Sequence, residues 1–134
     1  MQKMKLVVVG NGMAGTRTVE ELLKLAPDLY DITVFGAEPH PNYNRILLSP
    51  VLAGEQTLDE IVLNTRAWYA EHGITLRTGC KFTGVHRTKR VVVAEDGSET
   101  PYDRLLVATG SHPFMLPVPG KDLPGVLAYR DIAD

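Results

Sequence analysis

Two kinds of apolar pattern alternate along the first third of the chain. Residues 5–9 (KLVVV) form a short β-branched run of the kind found in buried parallel strands, whereas apolar side chains recur at roughly helical spacing over residues 12–25. Pro27 helps to end this helix, and residues 31–35 (DITVF) form a second strand of the buried type. The pattern therefore predicts a βαβ unit with a right-handed crossover and two parallel strands.

The middle of the chain carries a second helical pattern and then a change to strand-length spacing. Apolar anchors in residues 57–72 predict a helix closed by Gly73, and residues 74–77 follow as a third parallel strand. The apolar anchors of this helix are Leu58, Ile61, Val62, Trp68 and Tyr69. Residues 80–102 predict a small antiparallel meander, and residues 104–108 (RLLVA) return to the buried-strand type. We therefore predict an α/β fold in which a parallel sheet with helices carries a small antiparallel β-meander.

The last segment of the chain differs in composition from the rest. The stretch SHPFMLPVPGKDLPG is rich in proline, which interrupts both helices and central strands. We therefore predict one folded domain over residues 1–110 and a connector over residues 111–134.

Composition and charge exclude several classes of function. The chain has 134 residues, of which 44% are hydrophobic and 22% charged, as expected for one globular domain. A net charge of −2 gives no basic footprint for nucleic acid or for an anionic membrane. The sequence contains neither an apolar run long enough to span a bilayer nor a signal peptide, which predicts a cytoplasmic protein. A single cysteine, Cys80, and histidines without ligand spacing predict no metal site.

A glycine-rich loop lies between the first predicted strand and the first predicted helix. Backbone N–H groups at the start of a helix can bind pyrophosphate. In such a loop Gly10 would allow the tight turn, Gly12 would allow the close approach of the phosphates, and Gly15 would allow the helix to pack closely on the strand. An acidic residue, Glu38, lies 23 residues after Gly15 and just past the second strand, where it would accept hydrogen bonds from ribose hydroxyls. The predicted cofactor-binding loop consists of Gly10, Asn11, Gly12, Met13, Ala14 and Gly15. The order of these parts predicts a Rossmann-like dinucleotide-binding domain.

Three segments identify the dinucleotide by resemblance. The order GNGMAG, FGAEP and then a meander ending in YDRLLVATGSHP resembles the FAD-binding half of the two-dinucleotide-domain flavoprotein reductases. In that family the turn that matches Ala108, Thr109 and Gly110 lies against the flavin nucleotide. The meander, in place of further βα units, favours FAD over NAD as the ligand of the glycine loop.

The segment PNYNRILLSP narrows the resemblance. It is similar to a loop of rubredoxin, ferredoxin and nitrite reductases that follows the ribose-binding acid, and the whole N-terminal stretch is similar to bacterial NAD(P)H-dependent nitrite reductases. The resemblance implies that Asn44 and Arg45 lie at the cofactor, where the guanidinium suits the pyrophosphate. It also implies that the backbone of Phe82 contacts the adenine. Relatives with thiol chemistry carry a cysteine after Leu-Ser, where this chain has Pro50, so peroxide or disulfide chemistry is disfavoured.

The resemblance also implies what the intact enzymes do. In them a hydride passes from NAD(P)H to FAD, and electrons continue to iron–sulfur and sirohaem centres, where nitrite becomes ammonia. We expect this chain to be the FAD-binding fragment, without the returning segment of its domain, with residues 111–134 leading toward an absent NAD(P)H domain. The missing domains are then its natural partners, and we expect no catalytic residue, no nitrite reduction by the fragment alone, and self-association through uncovered apolar surface.

Two other functions stay open at this point. One is a rubredoxin- or ferredoxin-type NAD(P)H reductase, which shares the chemistry but passes its electrons to a protein acceptor. The other is a non-catalytic nucleotide-binding module that holds FAD, NAD or an adenine nucleotide. A flavin that binds and is reduced by NAD(P)H would argue against the second.

Overall fold

The computed structural model describes residues 2–134 and contains two β-sheets. A four-stranded parallel sheet has the strand order β3-β2-β1-β7, and a three-stranded antiparallel sheet has the order β4-β5-β6. The strands are β1 (Met4–Val9), β2 (Tyr30–Phe35), β3 (Thr75–Arg77), β4 (Phe82–His86), β5 (Val91–Ala94), β6 (Glu99–Pro101) and β7 (Arg104–Val107). The helices are α1 (Met13–Leu25), α2 (Leu48–Leu52) and α3 (Arg66–Glu71), with 3₁₀ turns at Arg45–Leu47 and Asp59–Ile61. The predicted fold class is confirmed.

Strand β1 is the centre of the molecule because both of its faces are covered. It pairs in parallel with β2 on one side and with β7 on the other. Leu6 and Val8 belong to an apolar cluster with residues of α1 and α3, whereas Val7 and Val9 pack against the antiparallel sheet. A strand buried on both faces must be apolar at successive positions, which explains the continuous run LVVV at residues 6–9. The predicted βαβ unit and meander are both confirmed.

The predicted helix over residues 57–72 is wrong in its extent. Only Arg66–Glu71 is α-helical, and the chain is extended at Val62. The backbone N–H groups of Leu63 and Asn64 donate to the carbonyl of Asn42 at 2.9 and 3.3 Å, so they are not available to a helix. The hydroxyl of Thr65 accepts from the backbone of the new helix and caps it. Of the predicted apolar anchors, Ile61 packs against Tyr43 and Leu48 outside any α-helix, whereas Trp68 and Tyr69 lie in α3.

The segment after β7 has no helix or strand among the described residues. Most of its side chains are exposed, but its last residues fold back onto the loop that follows β2. Ile132 packs there against a buried cluster formed by Tyr43, Leu48 and Ile61. No helix in residues 2–134 has the length and hydropathy needed to cross a membrane.

Candidate nucleotide-binding site

The glycine loop lies at the carboxyl edge of the parallel sheet, between the ends of β1 and β7. The backbone N–H of Gly10 donates to the carbonyl of Phe35 at 2.8 Å, and that of Ala108 donates to Val9 at 2.9 Å. Gly10 has a φ of +111°, and a Cβ atom there would lie 2.1 Å from the carbonyl oxygen of Ala108. In the sheet, β2 and β3 lie on one side of β1 and β7 lies on the other, so the strand order reverses at β1. The loop after β1 therefore lies at a topological switch point, where open α/β sheets bind ligands.

The other two glycines of the loop have different surroundings. A Cβ atom on Gly15 would lie 2.9 Å from the carbonyl oxygen of Gly10, so Gly15 allows α1 to pack closely on the loop. A Cβ atom on Gly12 would meet no atom of residues 2–134 within 4 Å, and the backbone of Gly12 is extended. Packing therefore requires glycine at the first and third positions, whereas the space beside the second is open.

The first turn of α1 offers free backbone donors. Gly12 is the N-cap residue and has no side chain to accept a hydrogen bond, and the first intrahelical bond runs from Thr16 N–H to the Gly12 carbonyl at 3.1 Å. The N–H groups of Met13, Ala14 and Gly15 precede that bond and have no partner within the helix. Together with the helix dipole they form a site for an anion such as a pyrophosphate.

Asn11 ties the glycine loop to two other segments. Its Nδ2 donates to the carbonyl of His40 at 3.3 Å, and its Oδ1 accepts from the Tyr69 hydroxyl at 2.7 Å. Gly36 is needed beside it, because a Cβ atom there would lie 2.9 Å from the Cβ of Asn11. The side chain of Asn11 is thus engaged with the protein, which leaves its backbone for a nucleotide. Neither Gly36 nor the tyrosine hydroxyl is indicated by the glycine motif.

Glu38 and Arg45, which the sequence placed at the ribose and the pyrophosphate, form an ion pair between Glu38 Oε1 and Arg45 Nη2. The Tyr43 hydroxyl donates to Glu38 Oε2 at 2.6 Å, and the guanidinium lies 5.2 Å from the centre of the Tyr43 ring. The Glu38 and Arg45 side chains are 23% and 29% exposed, so water screens this pair only in part.

Burial and charge shift the pKa values of this cluster. Burial of the phenol, then the hydrogen bond to Glu38 and its charge, raise the pKa of Tyr43 well above its usual value. For Arg45, burial alone lowers the pKa, but the carboxylates of Glu38 and Asp131 outweigh it and the guanidinium pKa is raised. The phenol therefore stays a hydrogen-bond donor to Glu38 at neutral pH.

Asn44 shapes the backbone that presents Arg45. Its side-chain oxygen accepts from Ile46 N–H at 3.0 Å and caps the 3₁₀ turn, while its own N–H donates to the Ile61 carbonyl at 2.9 Å. Because the side-chain oxygen of Asn44 accepts this local hydrogen bond, Asn44 is a cap residue beside the site.

Asp131, near the end of the segment that follows β7, contacts Arg45 although the glycine motif does not indicate it. Arg45 Nη1 forms an ion pair with Asp131 Oδ1 and donates to the Arg130 carbonyl at 3.1 Å. No local pattern links residues 45 and 131, which are 86 positions apart.

The start of the meander lies beside Glu38. The N–H of Gly79 donates to the Glu38 carbonyl at 3.0 Å, and that of Cys80 donates to the Gly36 carbonyl at 2.9 Å. Phe82 follows at the start of β4, where it pairs with Ala94 and packs its ring against the cluster around Val9. Its ring is thus a core side chain, and its predicted contact with adenine would come from the backbone.

The turn after β7 completes the edge of the site. Thr109 and Gly110 are exposed, and Gly110 has a φ of +77°. Ala108 contacts the glycine loop directly, as described above. Within residues 2–134, no group of three or more His, Cys, Asp or Glu side chains is arranged to hold a metal ion. The arrangement of backbone donors, a carboxylate and a guanidinium is suited to binding a dinucleotide.

Comparisons with known proteins agree with this geometry. The chain is 52% identical over its full 134 residues to the assimilatory nitrate reductase electron transfer subunit of Bacillus subtilis (strain 168), of which it covers 17%. It is also 52% identical over 134 residues to the nitrite reductase [NAD(P)H] of Bacillus subtilis (strain 168) and again covers 17%. A ferredoxin reductase from Rhodopseudomonas palustris superposes with a TM-score of 0.87 at 26% identity, over 98% of this chain and 32% of that one.

The two Bacillus subtilis relatives are much longer than this chain. The chain spans about 17% of the length of the two Bacillus subtilis relatives, so each match covers one segment of a much longer protein. The sequence profile of the pyridine nucleotide-disulphide oxidoreductases matches residues 4–134, which is nearly the entire chain. This chain therefore belongs to the pyridine nucleotide-disulphide oxidoreductase family.

Proposed function

We propose that the chain is the FAD-binding part of an NAD(P)H-dependent nitrite reductase. The observation that carries the proposal is the open space at Gly12, where the uncapped start of α1 meets the switch point of the sheet and Glu38 follows β2. Such a cradle suits the pyrophosphate and ribose of a dinucleotide. The names of the Bacillus subtilis relatives support the choice of enzyme.

Each part of the site has a proposed task in holding FAD. The N–H groups at the start of α1 bind the pyrophosphate, and Glu38 accepts hydrogen bonds from ribose hydroxyls. Arg45 adds positive charge beside the phosphates, and the backbone at Phe82 contacts the adenine. The turn formed by Ala108, Thr109 and Gly110 lies along the flavin nucleotide.

FAD, when bound, would supply the hydride and electron-transfer chemistry. The residues of this chain bind and orient the cofactor. We propose that the iron–sulfur and sirohaem centres that convert nitrite to ammonia are held by other parts of the longer polypeptide. Residues 1–110 then form the FAD domain, residues 111–134 lead toward the NAD(P)H domain, and the cytoplasm is the proposed location.

A ferredoxin-type reductase is the second candidate. The superposition on the ferredoxin reductase favours it, because the same nucleotide site would then serve an enzyme with a protein acceptor. Both candidates predict FAD binding by this chain. A non-catalytic module would bind a nucleotide without reduction of a flavin by NAD(P)H.

Titration of FAD into the purified chain, followed by flavin fluorescence, tests the proposal. We expect saturable binding that Gly12→Val weakens more than about tenfold, because the side chain fills the space that phosphate must enter. Gly84→Val is the matched control, since Gly84 also has open space around its Cβ position but lies in β4, away from the loop. Binding of NAD or AMP without FAD would show that the loop holds another nucleotide, and binding of neither would contradict the proposal.

A further inference from the structure

The last turn of the chain, Tyr129–Asp134, docks onto the loop that carries Arg45. The Tyr129 hydroxyl donates to the Leu48 carbonyl at 2.5 Å. The turn is closed by Asp134, whose carboxylate accepts from the N–H groups of Arg130 and Asp131 at 2.7 and 2.8 Å. Ile132 adds an apolar contact with the buried cluster described above. The side chain of Asp131 is therefore presented by an ordered turn.

The guanidinium of Arg45 lies between two carboxylates from distant parts of the sequence. Its Nη2 meets Glu38 from the loop after β2, and its Nη1 meets Asp131 from the docked turn. The Glu38 side chain is 23% exposed and that of Asp131 is 40% exposed, so water screens the pair with Glu38 less than the pair with Asp131. The two contacts fix the orientation of the guanidinium.

Donors remain for a ligand in this orientation. A guanidinium has five N–H groups, of which the contacts with Asp131, the Arg130 carbonyl and Glu38 engage three. The Nε–H and one Nη2 N–H are left to bind a phosphate or ribose oxygen. Such charge-assisted hydrogen bonds are stronger than neutral ones and depend on a well-defined donor geometry.

We propose that Asp131 is a positioning residue for the nucleotide site: it anchors Arg45 so that the remaining donors and Glu38 face the dinucleotide. The inference rests on the proposed function. Because the turn and the ligand then share one guanidinium, docking of Tyr129–Asp134 and binding of the dinucleotide strengthen each other by the same factor. The competing relationship is that Asp131 occupies the place of a phosphate, in which case its removal would tighten binding.

FAD affinities of matched variants distinguish these relationships. Asp131→Ala is expected to weaken FAD binding about fivefold, and Asp131→Glu to restore part of the loss because it keeps the charge. Asp122→Ala, at an exposed position of the same segment, is the control and is expected to match the wild type. In an Arg45→Met background, Asp131→Ala is expected to add little, since its effect acts through the guanidinium. A purely structural effect would persist in that background.

Hydrogen exchange of residues 129–134 gives a second readout. We expect FAD to slow exchange there in the wild type and not in Arg45→Met. Unchanged or tighter binding in Asp131→Ala, or an undiminished effect in Arg45→Met, would overturn the inference and leave the proposed function intact if the wild type binds FAD. A wild type that binds no FAD would overturn both.

Discussion

The carbonyl oxygen of Ala108 lies 2.1 Å from the position that a Cβ atom of Gly10 would take. These two residues end neighbouring parallel strands, β1 and β7, so the loops that follow the strands touch backbone to backbone. Gly10 also has a φ of +111°, which other residues rarely adopt. Contacts within the protein therefore require glycine at position 10, and this glycine sets the geometry of the sheet edge at which we propose that the nucleotide binds.

Replacing Gly10 by alanine is expected to lower the free energy of unfolding by about 3 kcal/mol or more, because backbone strain and a clash with a carbonyl group add together. Urea denaturation measures the loss. Gly12→Ala serves as the comparison, since its Cβ would meet no atom of the described residues within 4 Å and the φ of −94° at Gly12 is ordinary. We expect Gly12→Ala to keep stability near that of the wild type while weakening FAD binding. Equal stability losses in the two variants would contradict this assignment.

The hydroxyl of Tyr69 supports the glycine loop from α3. It donates to Asn11 Oδ1 at 2.7 Å and accepts from the buried N–H of Asn42 at 3.4 Å. Tyr69→Phe leaves both groups without this partner, so we expect a loss of about 1–3 kcal/mol in unfolding free energy and weaker FAD binding. Tyr30→Phe is the control, because Tyr30 packs against the same core cluster and no side-chain hydrogen bond of its hydroxyl is found within residues 2–134. Similar losses in both variants would show that the hydroxyl of Tyr69 has no special role.

The sequence predicts the parts of the site that depend on local patterns. The run of apolar residues before the glycines identifies β1 because a strand buried on both faces has few alternatives. Gly10 and Gly15 are found where the motif requires close backbone contacts, and Glu38 and Arg45 form an ion pair. Their contacts with a nucleotide, and those of Asn44 and Phe82, stay predictions.

Long-range contacts account for what the sequence does not predict. Residues 57–72 carry helical spacing, but Asn42 takes the backbone donors of residues 63 and 64, and its buried side chain donates to Asn64 Oδ1 at 2.9 Å. The turn Tyr129–Asp134 is a similar case, because Asp131 contacts Arg45 only through the docking of this turn, which no local pattern predicts. Periodicity describes one segment at a time, so it cannot identify partners that tertiary packing brings together.

Uncovered apolar surface leads to a prediction about association. Val107 is 60% exposed at the end of β7, which is an edge strand, and large apolar side chains are exposed in the segment that follows. The most exposed of these are Phe114, Leu116, Leu123 and Leu127. Because such surface favours self-association, we expect light scattering to report dimers or larger species whose share rises with concentration. A monomer mass at all concentrations would contradict this prediction.

The raised pKa of Tyr43 predicts how stability changes in alkaline solution. A phenol ionises near pH 10 in the unfolded chain, whereas burial and the Glu38 carboxylate keep Tyr43 protonated in the folded protein to higher pH. The stabilisation is therefore complete below about pH 10 and is lost as the pH rises toward the pKa of the folded state, since the unfolded chain then binds fewer protons. We expect the unfolding free energy of the wild type to fall above about pH 10 more steeply than that of Tyr43→Phe, by up to about 1.4 kcal/mol per pH unit. Urea denaturation of both proteins across this range measures the two slopes. Parallel curves for the wild type and Tyr43→Phe would show that the hydrogen bond to Glu38 does not hold the phenol in its protonated form.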